Sequence, residues 1–372
     1  MTDAATLIVI AQSARALALS ARRAGYAPVT IDLFGDADTR ALSLRSITLE
    51  GGLSKGIGRA PLIDSVRSLA RRYDAIGVVY GSGFEHQPEL IAELAQEVRV
   101  YGADACTLAR AKDPRALAHV CADLNLRHPE ISLVRPPNFD GWLTKSRGAA
   151  GGGHVRLAVP ETGMTDGDYF QRRIEGRSVS ALFVSDGRAA SILGLSEQWT
   201  APSSRSPFRY GGAVGPIEID GTYRAEIENA VAGVARAVGV VGIASVDFVV
   251  SHDSAWLIEV NPRPGATLDL FDCDEDPLLA RHLEASGGWI SPPATRITPT
   301  AVQVVYAGRD IICRSPSEWP DWVVDRPCAG TRIPAGEPIC TALATAPDTA
   351  RASHLVARRT QEIKAMVEGW TT

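Results

Sequence analysis

The sequence has no Cys-x-x-Cys pair, no apolar run near the roughly 20 residues of a membrane span, and no basic stripe. Its six cysteines, Cys106, Cys121, Cys273, Cys313, Cys328 and Cys340, are scattered. That spacing argues against a zinc ribbon or a disulfide framework and favours reduced thiols. The net charge of -5 argues against a nucleic-acid surface, though a local basic cleft for a small anion stays open. The first residues, MTDAATLIVIAQ, are acidic with a short apolar run, so they read as a first strand rather than a secretion signal. The expected location is the cytoplasm, with no membrane and no nucleic-acid partner. No G-x-x-x-x-G-K-[ST] loop occurs, and the first turn, AQSAR, has no glycine, which argues against a P-loop and a dinucleotide fingerprint. Neither a Ser-His-Asp nor a Cys-His set is visible, and there is no internal repeat.

What is present is an ordinary globular balance, 45% hydrophobic and 22% charged over 372 residues, enough for two or three domains. Residues 6–34 read strand, helix, strand, and helices near 61–72 and 88–97 alternate with the strands AIGVVYG and VRVYG. Such alternation predicts a doubly wound parallel sheet, whose ligands sit beyond the strand C-termini. Gln12, Ser13, Asp32, Ser82 and Glu85 stand at those ends as candidate substrate residues, with Arg15 close by. Residues 103–135 read as mainly helical, 141–196 as strands, 222–239 as one amphipathic helix, and 348–368 as another. The stretch 200–212, TAPSSRSPFRYGG, reads as a loop and a candidate mobile cover.

Two strands, SVDFVV and AWLIEVN, flank the polar break SHDSA. With a five-residue loop at 251–255, Val250 pairs with Trp256 and Asp247 falls opposite Glu259; Asn261 shares that face. Opposed carboxylates repel, and a divalent cation reverses the sign of that interaction. Three hard oxygen donors without His or Cys suit Mg2+ shared with substrate phosphates. Arg263, between two prolines just beyond, adds a permanent cation of the kind a phosphate needs. Upstream, WLTKSRGAAGGGHV sets Lys145 at a strand end before Gly148, Gly151, Gly152 and Gly153, a loop able to close over a polyphosphate or to be a plain hairpin connection. His154 reads as an ordinary loop histidine.

Strand, lysine, glycine loop, strand and then an oxygen-lined hairpin form a specific order. In that order the chain resembles the ATP-grasp superfamily of carboxylate–amine ligases, through LARAKDP, LTKSRGAAGGGHV, QRRIEGRSVSALFV and VDFVV…WLIEVNPRPG, spanning about residues 103–270. The resemblance implies an α/β and α+β ATP-grasp fold. It implies an N-terminal doubly wound domain at 1–102, the ATP-grasp domain at 103–298 with nucleotide between 141–184 and 243–265, and a small β-rich segment plus helix at 299–372. It implies that Lys112 and Lys145 contact ATP phosphates, that Gly151, Gly152 and Gly153 form the flap, and that Gln171 and Ile174 hold adenine. Asp247, Glu259 and Asn261 would ligate Mg2+, as two ions, and Arg263 with Lys145 would act on the transferred phosphate. Two departures stand out: Ser146 follows Lys145 where many members have proline, and position 178 is not acidic, leaving Glu175 as the substitute contact for the ribose.

The implied reaction is ATP-dependent amide formation through an acyl phosphate, releasing ADP and phosphate, with a small-molecule carboxylate and amine as partners and a homodimer as the candidate assembly. Residues 13–40 resemble the start of a carboligase-related branch, which points to synthesis of a methanopterin- or methanofuran-type one-carbon carrier, for example by glutamate addition. The tail WPDWVVDRPCAGTRIPAGEPICTALA resembles the C-terminal piece of carboxylase-related members, with Trp319 and Trp322 read as packing residues. The rival readings are a carboxylase acting on bicarbonate and a non-catalytic nucleotide-binding protein.

Overall fold

The structure, a computed structural model, describes residues 4–52, 56–161, 163–292, 298–314 and 319–370. The first sheet is parallel. Its central strand Thr6–Ile10 pairs with Ala27–Asp32 on one side and Val78–Tyr80 on the other, and Arg45–Thr48 and Val100–Tyr101 form the edges. Apolar runs such as TLIVI suit strands covered on both faces. One face packs under the helices Arg59–Tyr73 and Glu89–Glu97 through Leu62, Val66, Leu90 and Leu94. Chain direction switches on either side of Thr6–Ile10, and the crevice opens beyond its C-terminal end, where the Gln12 N–H donates to the Ser82 carbonyl at 2.8 Å.

A four-stranded sheet follows, built around Trp142–Ser146 and Asp168–Arg172. The third main layer is an eight-stranded antiparallel sheet. In spatial order its strands are Ala255–Asn261, Val241–Val250, Arg177–Asp186, Ala190–Thr200, Tyr210–Gly215, Thr300–Tyr306, Pro338–Thr345 and Val323–Val324. The residues after 299, expected as a small separate piece, therefore extend the same sheet as the carboxylate hairpin. Trp319 and Trp322 pack against its core, Trp319 edge-on to Trp370 at 5.9 Å.

Period-2 alternation explains how the large sheet buries both faces. Val179, Ala181 and Phe183 face the helix Gly221–Val238, which presents Ile227, Ala230, Val231, Val234, Ala235 and Val238 at helical spacing. That helix begins where Asp220 accepts from the Thr222 N–H and ends at Gly239 with φ 81°. Leu182 and Val184 face the other way, onto Leu7, Val9 and Phe271. The two sheets thus share a core and hold the crevice between them.

His282 fastens that junction. Its Nδ1 accepts from the Ile243 N–H at 3.0 Å, which leaves Nε2 to donate to the Tyr101 carbonyl at 3.1 Å. Burial pushes the imidazole down to about 4, so it stays neutral in this role. Among the described residues no helix is long and apolar enough to cross a membrane.

Candidate functional site

The carboxylate hairpin has a four-residue connection, 251–254, rather than five. Val250 pairs with Ala255, not Trp256, and Trp256 pairs with Val249. A β-bulge then inserts Ile258, and Asp247 returns to a position opposite Glu259. Neighbouring chain accounts for the bulge: the Leu257 N–H donates to the Arg127 carbonyl at 2.8 Å, and the Leu257 carbonyl meets His128 Nδ1 at 2.8 Å. Glu226 pins the turn by accepting from the Ser254 hydroxyl and the Ala255 N–H. The expected pair of acids is therefore formed, by a shorter loop plus one extra residue.

Around this pair the polar groups interlock. Asp247 accepts from the Ser180 hydroxyl at 2.6 Å and from Asn261 Nδ2 at 3.0 Å. Burial, and then the neighbouring Glu259, raise the Asp247 carboxyl above its ordinary range. For Glu259, burial acts upward but Lys112 and Lys145 outweigh it, holding this carboxyl low and ionised. Lys112, at the end of the helix Ala105–Lys112, places its ammonium on Glu259 and 2.6 Å from Asn261 Oδ1. It is thus turned to the carboxylate cluster, where a phosphate contact was expected. Lys145 lies on Trp142–Ser146 and donates to Gln171 Oε1 at 3.1 Å; burial lowers its pKa against the pull of Glu259 and Asp247.

Arg263 is buried and donates to Glu85 Oε1 at 2.8 Å and to Asn261 Oδ1 at 3.3 Å. The glycine of Pro-Arg-Pro-Gly leaves room for the guanidinium, since a Cβ on Gly265 would stand 2.6 Å from an Arg263 terminal nitrogen and displace it. Asn261, Glu259 and Asp247 present only oxygens that suit a hard divalent cation, and the Lys112 ammonium already rests on two of them. The donor set fits magnesium in that sense. Among the described residues no group of three or more His, Cys, Asp or Glu is arranged to hold a metal alone. Two carboxylates and an amide would need oxygens from the substrate.

Lys145, Asp247, Glu259, Asn261 and Arg263 line one cleft of about 2200 Å3, and Lys112 stands behind Glu259 and Asn261. Gly151, Gly152 and Gly153 line it, as do Gln171, Ile174 and the exposed Glu175. The glycine loop is seated on the segment 200–212. The Tyr210 N–H donates to the Gly151 carbonyl at 2.9 Å, and a Cβ on Gly152, at φ 70°, would lie 2.1 Å from the Phe208 carbonyl oxygen. The stretch expected as a mobile cover is thus in contact with the glycine loop. Ser146 donates to Asp168 at 2.6 Å. His154 also lines the cleft, and burial pushes it down to about 4 with Nδ1 lacking a partner.

Of the five candidate substrate residues, Gln12, Ser13 and Ser82 line the cleft. Asp32 does not: it is fully buried, and its carboxylate accepts from the Gly35 N–H at 2.9 Å and the Ala14 N–H at 3.4 Å. Glu85 is buried too, spent on Arg263 and the Gly83 N–H, so it orients Arg263. A strand end places a side chain near a crevice, but short loops offer backbone N–H groups that claim it first. Sequence reasoning missed a second charged group. Arg15 pairs with Asp269 at 2.5 Å and with Asp325 at 3.0 Å, and Asp36 stands beside them. Asp269 and Asp325 lie more than 250 positions from Arg15, and no local pattern marks the group.

A family model described as the ATP-grasp domain matches residues 116–267. No curated protein matches the chain by sequence. Solved structures do match in shape. Biotin carboxylase from Campylobacter jejuni, in an ATP complex, aligns with a TM-score of 0.71 at 14% identity over 98% of this chain and 91% of that one. The N5-carboxyaminoimidazole ribonucleotide synthetase of Thermotoga maritima aligns with 0.67 at 13% identity over 96% and 98%. A pyruvate carboxylase of Rhizobium etli aligns with 0.72 at 15% identity over 95% of this chain, which spans only 37% of that longer protein. The carboxylate hairpin and the glycine loop thus lie within a mixed α/β chain of ATP-grasp fold, of which residues 116–267 match the ATP-grasp domain.

Proposed function

We propose that this protein is an ATP- and Mg-dependent ligase that joins a carboxylate to an amine through an acyl phosphate, releasing ADP and phosphate. The observation that carries the reading is the convergence of Asp247, Glu259 and Asn261 with Lys145 and Arg263 on one cleft, backed by Lys112 on Glu259 and Asn261. Three cations and three oxygen-bearing side chains held in one interlocked set suit a reaction that moves a charged phosphoryl group. Such a transfer needs positioning and charge neutralisation more than a protein nucleophile.

In this reading Asp247, Glu259 and Asn261 hold the magnesium, and the metal when bound supplies charge neutralisation on the phosphates. Lys145 sits at the phosphates under the glycine flap. Arg263, fixed by Glu85, presents its remaining N–H groups to the carboxylate being activated and to the phosphoryl group it receives. Gly151, Gly152 and Gly153, seated on 200–212, exclude water from an acyl phosphate that water would destroy. Gln171, Ile174 and Glu175 take the nucleoside. The amine then attacks the acyl carbon and phosphate leaves. The domains would follow the bounds 1–102, 103–298 and 299–372, the last sharing its sheet with the second.

The reaction we propose belongs to synthesis of a methanopterin- or methanofuran-type carrier, with glutamate as a candidate amino acid, a reading supported by the resemblance of residues 13–40. A bicarbonate-activating carboxylase is the second reading, favoured by neighbours named as biotin and pyruvate carboxylases. Incubation with ATP, Mg2+ and paired carboxylates and amines, followed by mass spectrometry, separates them. Amide with equimolar ADP supports the ligase, whereas bicarbonate-dependent ADP release without an amide product supports the rival.

A further inference from the structure

Asp36 occupies the N-cap position of the helix Ala37–Leu42, where an aspartate ordinarily accepts from the helix's first N–H groups. Here its side chain makes no cap hydrogen bond. The residue is only 5% exposed, lines the cleft, and its carboxylate has no hydrogen-bond or ion-pair partner among the described residues. Its oxygens are not among the enclosed unpartnered polar atoms, so the carboxylate opens onto the cleft, where a ligand can complete it.

Its surroundings explain the placement. Asp38, on the same short helix, accepts from the Asp325 N–H at 2.8 Å and the Arg326 N–H at 3.1 Å. Those bonds hold Asp325 in a left-handed conformation at φ 56°. Asp325 takes the Ser13 hydroxyl at 3.3 Å and shares Arg15 with Asp269. Four carboxylates, on Asp36, Asp38, Asp269 and Asp325, thus meet two guanidinium groups, on Arg15 and Arg326. Arg15 is consumed by Asp269 and Asp325, and Arg326 reaches Asp38 at 3.8 Å. Asp36 is left over.

We propose that this acidic part of the cleft docks the ammonium group of the amine substrate, with Asp36 as its ion-pair partner. The assignment deepens the ligase reading and rests on it for the word substrate. The cleft then carries two opposed preferences: cations at Arg263 and Lys145 for the carboxylate and phosphates, and a surplus of carboxylates for the amine. A primary ammonium fits better than a guanidinium or a metal ion. It is compact, brings three donors, and can lose one proton to become the nucleophile. Burial, then Asp325, Asp32 and Asp38, push the Asp36 carboxyl up to about 8 against the opposing pull of Arg15, and Cys340 is its other titratable neighbour. The empty site therefore keeps a proton at neutral pH, and an arriving ammonium supplies the charge that lets it leave.

The test is calorimetric titration of the intact chain at pH 7.5 with n-butylamine, against n-butanol and butyrate as controls of matched shape. Butylammonium should bind at least about tenfold more tightly than butanol, and butyrate should not follow it. Asp36→Asn should reduce butylammonium affinity about tenfold and leave butanol and Mg-ADP affinities unchanged. Equal binding of amine and alcohol, no amine binding, or an ammonium preference that survives Asp36→Asn would overturn the assignment. Thermal unfolding reports whether the variant folds, and the wild-type preference for amine over alcohol decides the question without it. No turnover is needed. A chain that prefers ammonium through Asp36 but makes no amide would sink the ligase reading and leave this docking site standing.

Discussion

Two groups of charge face one cleft, and they are built differently. Around Asp247, Glu259 and Asn261 each carboxylate has a protein partner: Lys112 on Glu259, the Ser180 hydroxyl and the Asn261 amide on Asp247, and Arg263 on Glu85. Around Arg15 the acids outnumber their partners, and Asp36 is pushed up to about 8. The first arrangement is cross-linked by its own hydrogen bonds, which suits a site that must hold phosphates in register. The second is incomplete without a ligand. Balanced clusters favour preorganised catalysis, whereas unbalanced ones favour recognition of the missing charge.

The comparison breaks most visibly at Glu259. Glu259→Gln should cut ATP turnover by about 10²- to 10³-fold while circular dichroism shows an intact fold. A coupled ADP-release assay measures it, and near-normal turnover would remove Glu259 from the metal set. Arg263→Lys keeps the charge but loses the planar fork that reaches Glu85 and Asn261 together. It should lower kcat about tenfold or more, with ATP affinity little changed, because one ammonium cannot serve both partners and the substrate. Lys145→Ala should weaken nucleotide binding roughly tenfold by calorimetry. Unchanged affinity would place this lysine outside the nucleotide site and blur the contrast between the two groups.

The smallest effect concerns stability at the acidic group. The folded chain holds a proton on Asp36 up to about pH 8, whereas the unfolded chain releases it near pH 4. The contribution of Asp36 to stability is complete below about pH 4 and is lost as pH rises through about 8. Asp36→Asn should therefore gain over the wild type as pH increases, by roughly 2–4 °C in Tm at pH 8.5 relative to pH 5. A gap that does not change with pH would mean that Asp36 is already ionised and partnered.

How far these groups were legible in the sequence follows the same division. The hairpin acids and Lys145 lie in strands whose period-2 pattern fixes their faces, the glycine loop follows the strand of Lys145, and all line one cleft. The register was reached with a compensated error, because a five-residue loop and a four-residue loop plus a bulge at Ile258 put the same residues opposite each other. The bulge depends on Arg127 and His128, over 100 residues away, and no local pattern carries it. Asp32 and Glu85 were read correctly as strand-end residues. Their partners, the Ala14 and Gly83 N–H groups and Arg263, turned them from the cleft into supports. Asp36, Asp269 and Asp325 were invisible because their association through Arg15 exists only after three distant segments pack.

The most direct measurement of the central claim is the fate of ATP. With a productive carboxylate and amine, the account predicts ADP and inorganic phosphate in equal amounts, rising in step with amide, and transfer of 18O from the carboxylate to the phosphate. Formation of AMP and pyrophosphate, or phosphate without carboxylate oxygen, would contradict an acyl-phosphate route.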